Sequence, residues 1–198
     1  GSPANPVPAA PQRGLHRSWW GAEAQKGMVG VRSGGVEIGW PNKAAAAKQA
    51  DTLARTTARE FESLSGNALI QGDNLDALKE LRRVGHRRYR LALIDPPYNT
   101  GGGFVYEDDR SEAAWLSLML PRLLVARDLL ADDGLMMIFR DEANLPILRL
   151  LGREVFGAAN DCGVLVWEKK RKPSFLQAQM GSVTDFIAVF AKDRRQAP

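Results

Sequence analysis

The stretch Leu91-Ala92-Leu93-Ile94-Asp95-Pro96-Pro97-Tyr98, running on into Asn99-Thr100-Gly101-Gly102-Gly103-Phe104, admits few local structures. The apolar run Leu91 to Ile94 reads as a buried strand. Two prolines stop it, because each lacks an N–H and fixes φ. The acid and the aromatic therefore fall at the carboxyl end of a strand. In an open α/β sheet, ligands bind there. The plainest reading is a strand followed by a rigid turn. The functional reading is more specific. A carboxylate, a stiff backbone and an aromatic face in series suit a flat base that bears an amino group. Asp95 can accept a hydrogen bond from that group, the Pro96 carbonyl can accept another, and Tyr98 can stack on the ring. A base inside a duplex has to leave the stack to reach such a pocket.

The rest of the chain alternates helix and strand patterns. Residues 1–14 are rich in Pro, Ala and Gly and should be disordered. Residues 15–66 read as a helical, tryptophan-rich extension. Trp19, Trp20 and Trp40 either pack against the domain or stack on bases, and packing is the ordinary role. Residues 43–64 look helical, with Gly66-Asn67 ending the helix. From 67 to 198 the pattern is that of one α/β unit. Ala68 to Gln71 reads as a short strand and Asn74 to Arg83 as a helix. Residues 111–131 form a helix, with Leu116, Met119, Leu120 and Leu123 on one face and Pro121 inside it. Leu135 to Phe139 is a buried strand. Asn144 or Asp141 caps a helix that starts near Pro146 and closes at Gly157. Val164 to Trp167 and Phe186 to Phe190 are the last strands.

Composition bounds the function. A chain of 198 residues can build one core. A formal charge of +4 and a pI near 9.4 permit a polyanionic partner without requiring one. Arginines 82, 83, 87, 88 and 90 read as a solvated connection, with phosphate contact as the minor alternative. Lys169-Lys170-Arg171-Lys172 leaves a strand of the same sheet as the motif, so contact with a DNA backbone weighs as much there as plain solvation. The single cysteine, Cys162, reads as a small buried residue. His16 and His86 stand far apart without cysteine companions, so no metal site is expected. No apolar run reaches membrane-spanning length and no signal-peptide core is seen, so the expected location is cytoplasmic. Gly1-Ser2 reads as an expression remnant.

Asp95-Pro96-Pro97-Tyr98-Asn99-Thr100-Gly101, with Phe104 following, resembles the catalytic motif of the S-adenosylmethionine-dependent DNA adenine-N6 methyltransferases. Within them it is similar to the β group and the modification subunits of type III restriction–modification systems. Gly72-Asp73-Asn74-Leu75 resembles an element that precedes the motif in that family. Trp115, Met119 to Leu123, Asp133-Gly134-Leu135, Val166 to Lys169 and Phe186 to Lys192 resemble the segments that follow it. The resemblance covers about residues 36–192. It implies a partial Rossmann-like methyltransferase sheet, α/β in class, with family strands 3, 4, 5, 6 and 7 and flanking helices. It implies that Asp95 and the Pro96 carbonyl orient the adenine amino group, that Pro97 and Tyr98 complete the pocket, and that Tyr98 stacks on the base. Asn99 would hold the loop and Phe104 would wall the pocket. Asp73 and Asn74 would lie by the donor's adenine, and Lys169, Lys170, Arg171 and Lys172 along the DNA. The implied cofactor is S-adenosylmethionine.

One family element has no counterpart here. The Phe-x-Gly-x-Gly-like turn that binds the donor follows the catalytic motif in the β group, and none appears after Asp95. Gly30 to Gly35 contains a glycine cluster, but in the wrong place and without a convincing strand before it. Of the family sheet order 3-2-1-4-5-7-6, strands 1 and 2 are missing, which leaves strand 4 as an apolar edge. The expected partners are DNA and a second polypeptide that supplies the donor turn. The alternatives are a non-catalytic DNA-binding or regulatory module, methylation of RNA or of a protein amide, and a fragment of a longer protein.

Overall fold

In the computed structural model, residues 28–32, 35–54, 66–85, 89–98, 111–169 and 183–198 are described. Their centre is a four-stranded mixed sheet of β3 (Tyr89–Ile94), β4 (Leu130–Arg140), β5 (Asp161–Glu168) and β6 (Thr184–Ala191), in the order β3-β4-β6-β5. β3 runs parallel to β4, with Leu91 opposite Leu135 and Ile94 opposite Ile138. β6 lies antiparallel to β4 on its other side, pairing Arg140 with Phe186. β5 closes that side antiparallel to β6. This is the order 4-5-7-6 that the sequence implies for the catalytic half of the sheet.

Helices α3 (Glu112–Leu129) and α4 (Leu145–Phe156) are the crossovers that flank β4. The Ser111 hydroxyl accepts from the Ala114 N–H at 3.3 Å and starts α3, which runs through Pro121 as one helix. Pro146 sits in the first turn of α4, where a missing N–H leaves no bond unmade, and Gly157 ends the helix at φ 91°. The core lies between these helices and one face of the sheet: Leu120, Leu123, Leu148, Leu151 and Phe156 meet Met136, Ile138, Ala188 and Phe190. The approach is close at Gly152, where a Cβ would fall 2.1 Å from the ring of Phe190. Ile187 and Val189 on the opposite face are buried, but Leu91, Leu93, Leu165 and Trp167 on that face are each more than half exposed.

Several expectations need correction. Leu91 to Ile94 is a strand at the edge of the described sheet, as the missing family strands implied, but it is not the buried strand its apolar run suggested: Leu91 is 52% and Leu93 56% exposed. Ala68 to Gln71 forms no strand, and Leu69 is 100% exposed. A strand exists only where a neighbour accepts its ladder bonds, and among the described residues none lies beside it. The helix from Lys43 stops at Asp51 as α1 (Lys43–Asp51), well short of residue 64. Its last carbonyls are taken by side chains: the Thr52 hydroxyl donates to Gln49 O at 2.9 Å, and Arg82 donates to Ala50 O. Residues 55–65 lie outside the described set. Cys162 is half-buried.

The glycine-rich stretch around residue 30 does contain strands. β1 (Met28–Arg32) and β2 (Gly35–Gly39) form an antiparallel hairpin with Met28 opposite Gly39. The alternation Val29-x-Val31 and Val36-x-Ile38 carried that signal. The hairpin is tied to the main core. Ile38, Trp40 and Ala46 belong to it, the Ile38 N–H donates to Glu154 Oε2 at 3.1 Å, and the Trp40 indole donates to Ser117 Oγ at 2.9 Å. Trp40 is therefore a packing residue, while Trp19 and Trp20 lie outside the described residues.

Candidate active site

β3 delivers Asp95 to the carboxyl end of the sheet, as strand and prolines require. Asp95 is exposed, Pro96 is buried, and Pro97 and Tyr98 are half-buried. The carbonyl of Pro97 accepts two hydrogen bonds from neighbouring elements. The Trp115 indole of α3 donates at 2.9 Å and Arg140 Nη1, the last residue of β4, donates at 2.6 Å. The next carbonyl, that of Tyr98, accepts from Asn144 Nδ2 at 3.2 Å. Asn144 holds the N-cap position of α4 but makes no side-chain cap bond. Its amide reaches Tyr98 O and the Asp141 carboxylate at 3.1 Å, so the capping expected of Asn144 or Asp141 gives way to a bond with the motif. The motif backbone is thus held by α3, β4 and the turn before α4 together.

The aromatic groups pack around one cation. The Arg140 guanidinium lies 4.1 Å from the Trp115 ring centroid and 5.9 Å from that of Tyr98. The Tyr98 hydroxyl is pushed well above its ordinary range, first by burial and then by the negative charge of Asp95 and Asp185. Its hydrogen bond to Asp95 and the charge of Asp141 act in the same direction. Tyr98 is therefore a neutral ring and a hydrogen-bond donor, not an anion. Of the three carboxylates that act on its hydroxyl, Asp185 is paired with Lys169 and Asp141 with Arg140.

Asp73 and Asn74 stand nearby in two roles at once. Asp73 Oδ1 accepts from Leu75 N at 2.9 Å and Asp76 N at 3.3 Å, the N-cap of α2 (Asn74–Arg83). Its Oδ2 pairs with Arg122 Nη2 at 3.2 Å, while Asn74 Oδ1 accepts from Arg122 Nε at 2.7 Å. A cavity of about 530 Å³ joins Gly72, Asp73 and Asn74 to Asp95, Pro96 and Pro97 over a floor that includes Ile94, Met119 and Met136. Of the expected site residues, Asp73, Asn74, Asp95, Pro96 and Pro97, but not Tyr98, line this one cavity. Its apolar floor and polar rim fit one side of a small-molecule site, and its size is in the range of ligand pockets. A second groove of about 500 Å³ follows the free edge of β3 past Tyr89, Leu91, Ile70 and Leu78.

Not every expected residue enters this picture. Lys169 pairs with Asp185 at 2.7 Å, at the same end of the sheet as the motif. Lys170, Arg171, Lys172, Asn99 and Phe104 lie outside the described residues. Sequence reasoning overlooked Arg140. Its signal was an arginine ending the apolar run Leu135 to Phe139, an odd place for a charge unless it has work at the strand end. Among the described residues, no cluster of three or more His, Cys, Asp or Glu could hold a metal ion, and no helix is long and apolar enough to cross a membrane.

Residues 89–197 match the family model described as DNA methylase. The type III restriction–modification enzyme EcoP15I Mod subunit of Escherichia coli is 33% identical over 171 residues, which is 70% of this chain and 26% of that protein. The type II methyltransferase M.KpnI of Klebsiella pneumoniae is 30% identical over 141 residues, covering 67% of this chain and 34% of that one. Among solved structures, the M1.HpyAVI–SAM complex aligns over 65% of this chain and 55% of its own, with a TM-score of 0.43 and 14% identity. The chain spans about a quarter of the length of the type III relative.

Proposed function

This chain belongs to the DNA methylase family, and from that premise we propose that it is the base-recognising half of an S-adenosylmethionine-dependent DNA adenine-N6 methyltransferase. The observation that carries the reading is the motif Asp95-Pro96-Pro97-Tyr98 at the end of β3, whose Asp95, Pro96 and Pro97 line one cavity with Asp73 and Asn74. The Asp95 carboxylate accepts one N–H of the adenine amino group and the Pro96 carbonyl accepts the other. Both bonds draw the protons away from N6 and localise its lone pair. Tyr98, held neutral, offers its ring to the flipped base. The hydroxyl has to yield its bond to Asp95 when the amino group arrives. S-adenosylmethionine, when bound, supplies an electrophilic methyl group. Asp73 and Asn74 would lie along its adenosine, and the apolar floor from Ile94 to Met136 would exclude water. Alignment and dryness, rather than a strong base, then account for much of the rate. We assign to Asn99 the holding of the loop, to Phe104 a wall of the pocket, and to Lys169 to Lys172 contact with the DNA backbone, whose phosphates carry much of DNA affinity.

The donor side needs more chain. Among the described residues the edge of β3 is open and the groove beside it is apolar, as a strand and its helix would require. We assign these to a second polypeptide segment carrying a Phe-x-Gly-x-Gly-like turn, joined by sheet continuation. The test is methyl incorporation into DNA by the assembly of this chain with such a segment. Asp95→Ala is expected to abolish incorporation while the chain keeps its fold. Survival of the activity in that variant would sink the reading.

A further inference from the structure

Among the described residues Arg140 is the most deeply buried cation. It is 1% exposed at the end of the central strand, and burying a guanidinium is expensive unless its donors are used. Its use is unusual. Nη1 donates to the carbonyl of Pro97, a backbone atom of the motif, and the flat face of the group lies over Trp115, which donates to the same carbonyl. Asp141 Oδ1 stands 3.7 Å from Nε, so the charge is balanced at the strand end. Arg140 meets the motif at its backbone. It acts on the peptide between Pro97 and Tyr98.

That peptide decides where the motif's other groups face. A trans peptide sets its C=O and N–H in opposite directions. With the Pro97 carbonyl turned inward to two donors, the Tyr98 N–H turns outward. Asp95 and Pro96 each precede a proline and are confined to extended backbone, in which successive carbonyls diverge. The Pro96 and Pro97 carbonyls flank Pro97, whose ring fixes φ, so with the Pro97 carbonyl pinned the ψ of Pro97 alone sets where the Pro96 carbonyl faces. The Tyr98 ring is set by the same peptide, and its far side is packed 5.9 Å from the guanidinium.

We propose that Arg140 is a positioning residue: by pinning the Pro97 carbonyl, with Trp115, it aims the Pro96 carbonyl and the Tyr98 ring at a flipped purine. The inference rests on the base-recognition reading above. It adds a residue that acts on base geometry without touching the base, and it separates Arg140 from the lysines that would meet DNA phosphates.

The experiment compares Arg140→Met and Arg140→Lys with wild type in the methylating assembly. Methionine keeps apolar bulk but donates nothing, while lysine restores one donor without the flat stack. Misaligned reacting groups lose roughly 100-fold in rate, so Arg140→Met is expected to lower kcat by about that factor with KM for DNA changed less than about twofold. Arg140→Lys is expected to recover at least about a tenth of the wild-type kcat. An unchanged kcat, or a fall confined to KM, overturns the proposal. So does a lysine variant no better than methionine. Should Arg140→Met fail to fold, Trp115→Phe keeps the ring and removes the second donor, and the same split between kcat and KM is read there. A crystal structure of the Arg140→Met chain provides the arm that does not depend on activity. The Pro97 carbonyl should have rotated from its inward position, and a carbonyl left in place refutes the idea. If the wild-type assembly transfers no methyl group at all, the functional reading fails instead, and the crystallographic arm still decides the role of Arg140.

Discussion

The two long sides of β3 differ as the finished and unfinished parts of one molecule. On one side Leu91 to Ile94 pair with Leu135 to Ile138 of β4, and β4 itself lies against α3 and α4 with Met136 and Ile138 wholly enclosed. On the other side no described strand pairs with it, two of its leucines are half-exposed and an apolar groove runs beside it. The helix-covered side holds the motif's backbone through Trp115, Arg140 and Asn144. The bare side borders the cavity in which Asp73 and Asn74 meet Asp95. The motif is thus held by packing within the chain, while the cavity beside it borders an edge with which no described strand pairs.

This contrast can be broken by mutation. Its largest consequence is on the covered side. Phe190 is wholly buried and stacks on Phe156 at 5.5 Å. Phe190→Ala is expected to destabilise the chain by about 3–5 kcal/mol, read by urea unfolding. Next comes Gly152→Ala, whose new methyl would meet the Phe190 ring at 2.1 Å. The ring has no free space to enter, so overpacking should cost roughly 1–3 kcal/mol in the same assay. The smallest effect belongs to the bare side. Leu93→Thr should change the stability of this chain alone by less than about 0.5 kcal/mol, as at an ordinary surface position. The same change should weaken association with a segment that completes the sheet, measured by calorimetry. A loss of stability for Leu93→Thr comparable to that for Phe190→Ala would mean that the edge is already covered.

The legible parts of the sequence were those whose partners lie close in the chain or that bury one full face. α2 begins at Asn74 and ends at Arg83, because Asp73 caps it and the apolar residues Leu75, Leu78 and Leu81 keep helical spacing. β4 and β6 were visible as apolar runs, and the motif's place at a strand end followed from its prolines. What misled was burial inferred from hydrophobicity. Leu91 and Leu93 read as core residues, since a run of leucines does not say whether its neighbour is present. The same gap explains Ala68 to Gln71, whose strand character needs a partner to be realised. The hairpin of β1 and β2 was hidden by its glycines, although its valines alternate. Arg140 was illegible for another reason: its partner is a backbone carbonyl, and a carbonyl leaves no trace in the identity of a residue.

The open edge of β3 also sets a clock for its amides. In a parallel pair only every second residue of a strand points its N–H at a given neighbour. Between Tyr89 and Ile94 the amides that face β4 are locked into the centre of the sheet and exchange with deuterium only on large-scale opening. Their alternates face an edge with no described strand and should exchange within seconds. If a further strand docks there, the fast set joins the slow one and the alternation disappears. Completion of the sheet can thus be followed peptide by peptide, with neither DNA nor methyl donor in the tube.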